Sequence, residues 1–288
     1  MAGIAVRVRG RRGTGAVTSP DGPMIFDEST GISWSAYAVD LDTDETLFSS
    51  TPERELDTAS IGKIFLLHTL LDQVDRGERT LEERVRRRPS EWMNDSGLWY
   101  RLQAEELSLY DVAALIGAAS DNAATNTLCR VIGLDVVAEH TAALGYRHSA
   151  LDDIVRWPRP PGAPRRLSHG TAAELSAFVA ALARNETLSA ASCDTFKRWL
   201  GAGMDLSMVA AAFGLDPLAH DEFDRGIWLW NKTGTISIAR GDIGVVMSPQ
   251  RRVAYAVLAN WPRGTDLRDQ ALAEMRAAGD VIRAHLVD

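Results

Sequence analysis

At 288 residues, 45% apolar and 24% charged, the chain has the composition of a soluble globular protein of one or two domains. A net charge of −8 and a pI of about 5.3 exclude nucleic acid and an anionic membrane surface as the main partner. No stretch approaches the roughly 18 apolar residues of a membrane span, and no apolar run of signal-peptide type opens the chain, so the expectation as written is cytoplasmic.

Residues 1–25, with Arg7, Arg9, Arg11 and Arg12 followed by Gly, Thr, Ser and Pro, read as a flexible arm. Ile32–Leu41 alternates, passes through Asp42-Thr43-Asp44 and returns over Thr46–Phe48, a β-hairpin pattern. From Ser60 an apolar stripe at 61, 64, 65, 67, 70, 71 and 74 predicts a helix ending near Gly77. Arg84, Arg86, Arg87 and Arg88, flanked by Glu82, Glu83 and Glu91, read as a solvated helix end. Ser108–Ala118 is a helix with Asp111 three residues after its first serine, close to a capping box. Asn122–Ile132 and Leu134–Leu144 follow as helices stopped by Gly133 and Gly145.

Residues 146–166 show no period and are rich in Pro and Arg, which in a compact domain marks a functional or disordered loop. Helices resume at Thr171, with Glu174 three residues on, and over Ser189–Leu200. Strands Ile227–Asn231, Asp242–Met247 and Arg252–Ala259 precede an amphipathic helix at Asp266–Leu286. Strands at both ends with helices between predict an α/β fold of α+β type. An antiparallel sheet flanked by helices (about 26–58 and 201–288) would join an all-helical lobe (about 59–200) in one catalytic unit, 26–288. Cys129 and Cys193 lie in different predicted helices and read as buried free thiols. The six histidines lack metal-ligand spacing, so no metal or other cofactor is expected.

Among 31 basic residues only three are lysines, Lys63, Lys197 and Lys232. An ammonium can lose its proton when desolvated or set beside another cation, and a guanidinium cannot. Lys63 follows Ser60 by three residues, so if Ser60 begins the helix the amine lies one turn on, on the same face, within reach of the hydroxyl. Desolvation, the helix dipole or a neighbouring cation would let it take the serine proton. Ser120-Asp121-Asn122 falls between two helices, and Lys232-Thr233-Gly234 ends an apolar, aromatic strand. Each motif alone has an ordinary structural explanation: a helix start, a cap, an edge-strand lysine.

Together, in this order and on these elements, they resemble the motif set of the class A serine β-lactamases within the penicillin-recognising family. The resemblance runs from about Ile25 to the C-terminus. It implies a β-lactamase/transpeptidase-like fold, with Ser60 as the acylated nucleophile and Lys63 as its proton acceptor or relay. Ser120 would pass a proton to the leaving nitrogen, Asn122 would bond Lys63 and a substrate amide, and Asp121 would hold the loop. Lys232 would keep the site electropositive, while Thr233, Gly234 and Thr235 would bind a substrate carboxylate, with Arg240 as the family's carboxylate-binding arginine. The oxyanion hole would be the N–H groups of Ser60 and Thr235. The partner implied is a small molecule with a carboxylate, the oligomeric state favoured is a monomer, and relatives are usually exported. Trp92 and Trp99 precede the Ser-Asp-Asn segment, where relatives place an aromatic gate.

One departure stands out. Class A relatives carry a water-activating glutamate in the long loop, in an Arg-Trp-Glu-Pro-like context. Here Arg156-Trp157 runs into Pro158, and no glutamate occurs between Glu139 and Glu174. Asp152, Asp153 or His148 would have to substitute. The reading is therefore a β-lactamase-like serine hydrolase in which acylation outruns deacylation. The alternatives are an intracellular acyltransferase or esterase using a non-water acceptor, and a ligand-binding sensor. Arg159, Arg165 and Arg166 read either as favouring an anionic substrate or as simply solvated.

Overall fold

The computed structural model describes residues 25–220 and 222–287. The expected arm, 1–25, lies outside the described residues except for Ile25. The N-terminal hairpin is β1 (Ser33–Asp40) and β2 (Thr46–Ser50), and its turn is held by Asp40 Oδ1, which accepts from Asp42 N at 2.8 Å and Thr43 N at 2.9 Å. The C-terminal half supplies β3 (Trp228–Ile236), β4 (Ala239–Met247) and β5 (Arg252–Asn260). They form one antiparallel sheet in the order β2-β1-β5-β4-β3, with Ser33 opposite Asn260 and Thr235 opposite Arg240. Both termini thus build the sheet, as expected. β3 is longer than the sequence pattern predicts, so Lys232-Thr233-Gly234 sits within the strand rather than after it. Residues 229–234 are all buried, which removes the alternation that would have revealed a strand.

The helices are α1 (Lys63–Asp75), α2 (Leu109–Ala119), α3 (Asn122–Ile132), α4 (Leu134–Ala143), α5 (Ala172–Ala183), α6 (Ala190–Gly201) and α7 (Arg268–Val287). α7 covers one face of the sheet, setting Ala271, Met275, Ala278 and Ile282 among Trp34, Val246, Tyr255 and Val257. The other face, with Trp230, Ile243, Val245, Ala254, Ala256 and Leu258, shares a core with the remaining helices. Grouped by sequence with the helical lobe, α5 packs directly on β5, β1 and β4 and joins the two halves. α1 runs through the centre with Ile64, Phe65, Leu66, Leu67, Leu70 and Leu71 buried. Each such side chain stabilises the fold by about 1.5–3 kcal/mol relative to exposure. Lys63, His68 and Thr69 on the same helix are buried as well, so α1 has almost no wet face.

Between α4 and α5 the chain is pinned by a small sheet in which Ser168–Gly170 pairs with Leu56–Asp57 on one side and Ala150–Leu151 on the other. These two- and three-residue strands carry no readable period, and the sequence pattern gave only a loop there. They tie both ends of the 152–167 loop beneath the segment that leads into Ser60.

Candidate active site

Ala59–Gly62 form a single 3₁₀ turn, and the α-helix begins only at Lys63. Ser60 therefore precedes α1 instead of opening it, a correction to the expected helix start. The turn is held tightly. Ala59 has φ 50°, a left-handed conformation uncommon for a residue with a side chain. Ser168 Oγ donates to Ala59 O at 2.6 Å and lies 2.7 Å from Thr58 Oγ1. At Gly62 a Cβ would come within 2.3 Å of Ser168 Cβ, and at Gly234 within 2.1 Å of Thr58 O. Glycine at those two positions lets the 3₁₀ turn press against the small sheet below and against β3 beside it, which brings Ser60 alongside the Lys232–Thr235 segment.

Lys63 is fully buried. Its Nζ donates to Ser120 O at 2.7 Å, to Asn122 Oδ1 at 2.8 Å and to Ser120 Oγ at 3.3 Å. None of these bonds goes to Ser60, although the sequence spacing suggested that pair. Burial first, and then the nearby Lys232 charge, hold the Lys63 ammonium well below the ordinary lysine value. Lys232 Nζ donates to Ser120 Oγ at 3.0 Å and to Thr233 O at 3.0 Å. Burial pulls its pKa down to about 8, against the opposing pull of Asp205 and Asp242. The Ser120 hydroxyl thus stands between two desolvated amines.

Ser120 reaches that place because it caps α2 in the left-handed conformation, φ 52°. Asp121 then caps α3, its Oδ1 accepting from Ala124 N at 2.8 Å. Its other oxygen accepts from Leu98 N at 2.6 Å and Trp99 N at 2.7 Å, fastening the 96–99 wall to the helix start. Asn122 is the first residue of α3 and is 5% exposed.

A cavity of about 790 Å³ opens over these groups, lined by Ser60, Ser120, Asn122, Lys232, Thr233 and Thr235. That volume suits a drug-sized molecule. Gly234 contributes close approach rather than lining. Arg240 does not line the cavity. The β3–β4 hairpin closes in two residues, Ser237 and Ile238, and Arg240 Nη1 turns onto its carbonyls, donating to Ile236 O at 2.7 Å and Ala239 O at 2.8 Å. The tryptophan gate is also corrected. Trp99 is a core residue with Nε1 donating to Ala104 O, Trp92 packs under the Arg87 guanidinium, and neither lines the cavity. That wall is instead built by Met93, Asp95, Ser96, Gly97 and Leu98.

The loop supplies no free acid at the expected place. Asp153 is buried and accepts from Arg156 Nε at 2.9 Å and from Arg159. Asp152 accepts from Arg166 Nε at 3.2 Å and pairs with His169 Nδ1 at 2.8 Å. His148 is exposed beside Glu55. None of the three lines the cavity, where the loop presents Val155, Arg156, Trp157 and Arg159 instead. Sequence reasoning missed two positioning residues. Asn126 binds the Val155 backbone, and Asn260 binds the Asp57 backbone through Asp57 N (2.9 Å) and Asp57 O (3.0 Å). For Asn126 a signal existed, since it lies one helical turn after Asn122 on the same face.

Among the described residues no group of three or more His, Cys, Asp or Glu side chains is placed to hold a metal ion. No described helix is long and apolar enough to cross a membrane.

Residues 24–286 match the model of the beta-lactamase enzyme family. Among solved structures, a β-lactamase from Sphaerobacter thermophilus is 29% identical and superposes with a TM-score of 0.74, over 87% of this chain and 91% of that one. A class A β-lactamase from Mycobacterium abscessus (19% identity, TM-score 0.76, 91% and 96% covered) and PBP-A (20%, 0.75, 88% and 90%) share the fold.

Proposed function

The chain belongs to the beta-lactamase enzyme family and is a class A-like serine hydrolase, and from that premise we propose that it works through an acyl-Ser60 intermediate that forms faster than it is released. The substrate is a small molecule, a β-lactam or a related amide or ester, and its carboxylate is held by Lys232, Thr233 and Thr235. In the first step Ser60 Oγ attacks the substrate carbonyl and its proton passes to Lys63 Nζ. As a neutral amine Lys63 has two N–H groups, and Ser120 O and Asn122 Oδ1 are acceptors suited to both. Its lone pair is then free for the serine proton, as a general base requires. The tetrahedral oxygen is stabilised by the N–H groups of Ser60 and Thr235. Collapse breaks the bond to the leaving nitrogen, which takes its proton through the Ser120 hydroxyl, the group lying between Lys63 and Lys232.

The observation that carries this reading is the desolvated Lys63, held below its ordinary pKa and bonded to Ser120 and Asn122. Slow release is supported by the loop. Asp152 and Asp153 are committed to arginines and histidine away from the cleft, so no loop carboxylate is offered to activate water. General-base help is worth typically 10²–10⁴-fold. The same feature supports a second reading, in which an amine or alcohol rather than water takes the acyl group from Ser60. Stopped-flow turnover of a chromogenic cephalosporin tests the first. The expected trace is a burst stoichiometric with enzyme followed by a slow steady state, and linear fast turnover with no burst would refute it. Acceleration of the slow phase by added amines or alcohols would favour the second.

A further inference from the structure

From the wall of the cleft formed by the 155–167 loop, we propose that this site takes substrates carrying a second negative charge on their acyl portion, read by Arg156, Arg159 and Arg165. The inference rests on the acyl-serine reading and goes beyond it by assigning what the opposite end of the cleft recognises. The cavity that holds Ser60, Thr233 and Thr235 is also lined by that loop, which makes the loop a surface available to the acyl group of a substrate placed with its carbonyl at Ser60 and its carboxylate on Thr233 and Thr235.

The loop faces the cavity with Arg156, Arg159, Arg165 and Arg166. The carboxylates that orient three of them do not line it. Asp153, 2% exposed, grips Arg156 and Arg159 from behind, and Asp152 and Glu55 grip Arg166. The one lining carboxylate on this wall, Asp57, is itself bonded by Arg165 at 3.3 Å and Arg166 at 3.4 Å. With the buried Asp153 behind them, Arg156 and Arg159 are held facing the cavity, so little of their rotamer freedom is lost when an anion docks. Arg156 engages Asp153 through Nε and Nη2, and Arg159 through Nη1, which leaves further N–H donors on each. Arg165, with its side chain 80% exposed, makes a single long contact. Val155, Leu167 and the exposed Trp157 supply apolar surface between these cations, a combination suited to an aromatic or aliphatic arm that ends in a carboxylate or sulfonate.

The test uses two penicillins that differ by one carboxylate on the acyl arm, benzylpenicillin and its α-carboxy derivative. Second-order acylation rates of Ser60 are read by mass spectrometry at low salt. The α-carboxy compound is expected to react about tenfold faster, as for one added charged hydrogen bond. The ratio should fall towards one at high salt and in Arg159→Gln and Arg165→Gln, and Arg165→Lys should restore part of it. Because Arg159 also holds Asp153, its loss could loosen the loop. Arg165→Gln does not carry that risk, and the ratio, not the absolute rate, is the readout. Equal rates at low salt, or variants that slow both compounds alike, would overturn the inference while leaving the acyl-serine reading intact. Failure of both compounds to label Ser60 would sink that reading instead. Calorimetric titration of both into Ser60→Ala then still decides the matter: tighter binding of the dianion sustains the anion wall, and equal binding ends it.

Discussion

Asn126 grips Val155 at both ends of its backbone: Nδ2 donates to Val155 O at 2.7 Å and Oδ1 accepts from Val155 N at 2.8 Å. One helical turn earlier, Asn122 accepts from Lys63 at 2.8 Å. A single face of α3 therefore sets both the Lys63 amine and the loop residue that fronts the cleft.

That clamp makes Val155, which lines the cavity, the place to restore a base. Val155→Glu is expected to shorten the lifetime of the acyl-enzyme by roughly 10²-fold or more, the ordinary worth of a general base. Val155→Gln, equal in size and without basicity, should leave the lifetime near that of the parent. Decay of the adduct after removal of excess β-lactam checks both. An unchanged lifetime in the glutamate variant would mean that release is not limited by the missing base.

On the proposed mechanism the pH profile follows from the two lysines. Lys63 must be neutral to act as base, and its pKa is pushed well down by burial. Lys232 must be charged to attract a carboxylate, and burial lowers it to about 8. Acylation by an anionic β-lactam should therefore decline as pH rises through about 8, whereas an unperturbed lysine near 10.4 would hold the plateau two units further. Rates between pH 6 and 10 read this directly, and a flat profile to pH 10 would contradict it.

That Ser60, Lys63, Ser120 and Lys232 come together was legible from the sequence, because two of the chain's three lysines stand in serine- and threonine-bearing motifs whose order and elements agree. What surrounds them was less so. Arg240 was misplaced because its direction depends on a two-residue hairpin that puts its guanidinium beside the turn carbonyls Ile236 O and Ala239 O. The loop was opaque because its order comes from distant partners: Asn126 on Val155, Ser168 under Ala59, Arg166 against Glu55. None of these leaves a period in the chain. The sheet, by contrast, followed from local patterns, except where β3 is buried along most of its length.

Asp121 should matter more to the wall than to chemistry. Asp121→Ala would orphan the N–H groups of Leu98, Trp99 and Ala124, at a cost of roughly 3 kcal/mol or more for buried unsatisfied donors. Urea unfolding is expected to show a loss of unfolding free energy of that size. A loss under about 1 kcal/mol would mean that water replaces the carboxylate.

Asp242 lies fully buried on β4, accepting from Asn231 Nδ2 at 2.9 Å, Tyr255 OH at 3.1 Å and Ala210 N at 3.2 Å. Burial outweighs these bonds and pushes its pKa up to about 7. With the folded pKa above the unfolded one, the folded chain holds the proton more tightly between about 4 and 7, so stability falls as pH rises through that window. Urea midpoints at pH 5 and 8 should therefore differ more in the parent than in Asp242→Asn. Equal differences in the two proteins would show that Asp242 ionises normally.

The most direct measurement is intact-protein mass spectrometry of the parent chain seconds to minutes after mixing with benzylpenicillin, followed by peptide mapping. A stoichiometric adduct on Ser60 that outlasts the free drug is expected, and none in Ser60→Ala. Complete hydrolysis of the drug with no adduct at any time, or an adduct on another residue, would contradict the account.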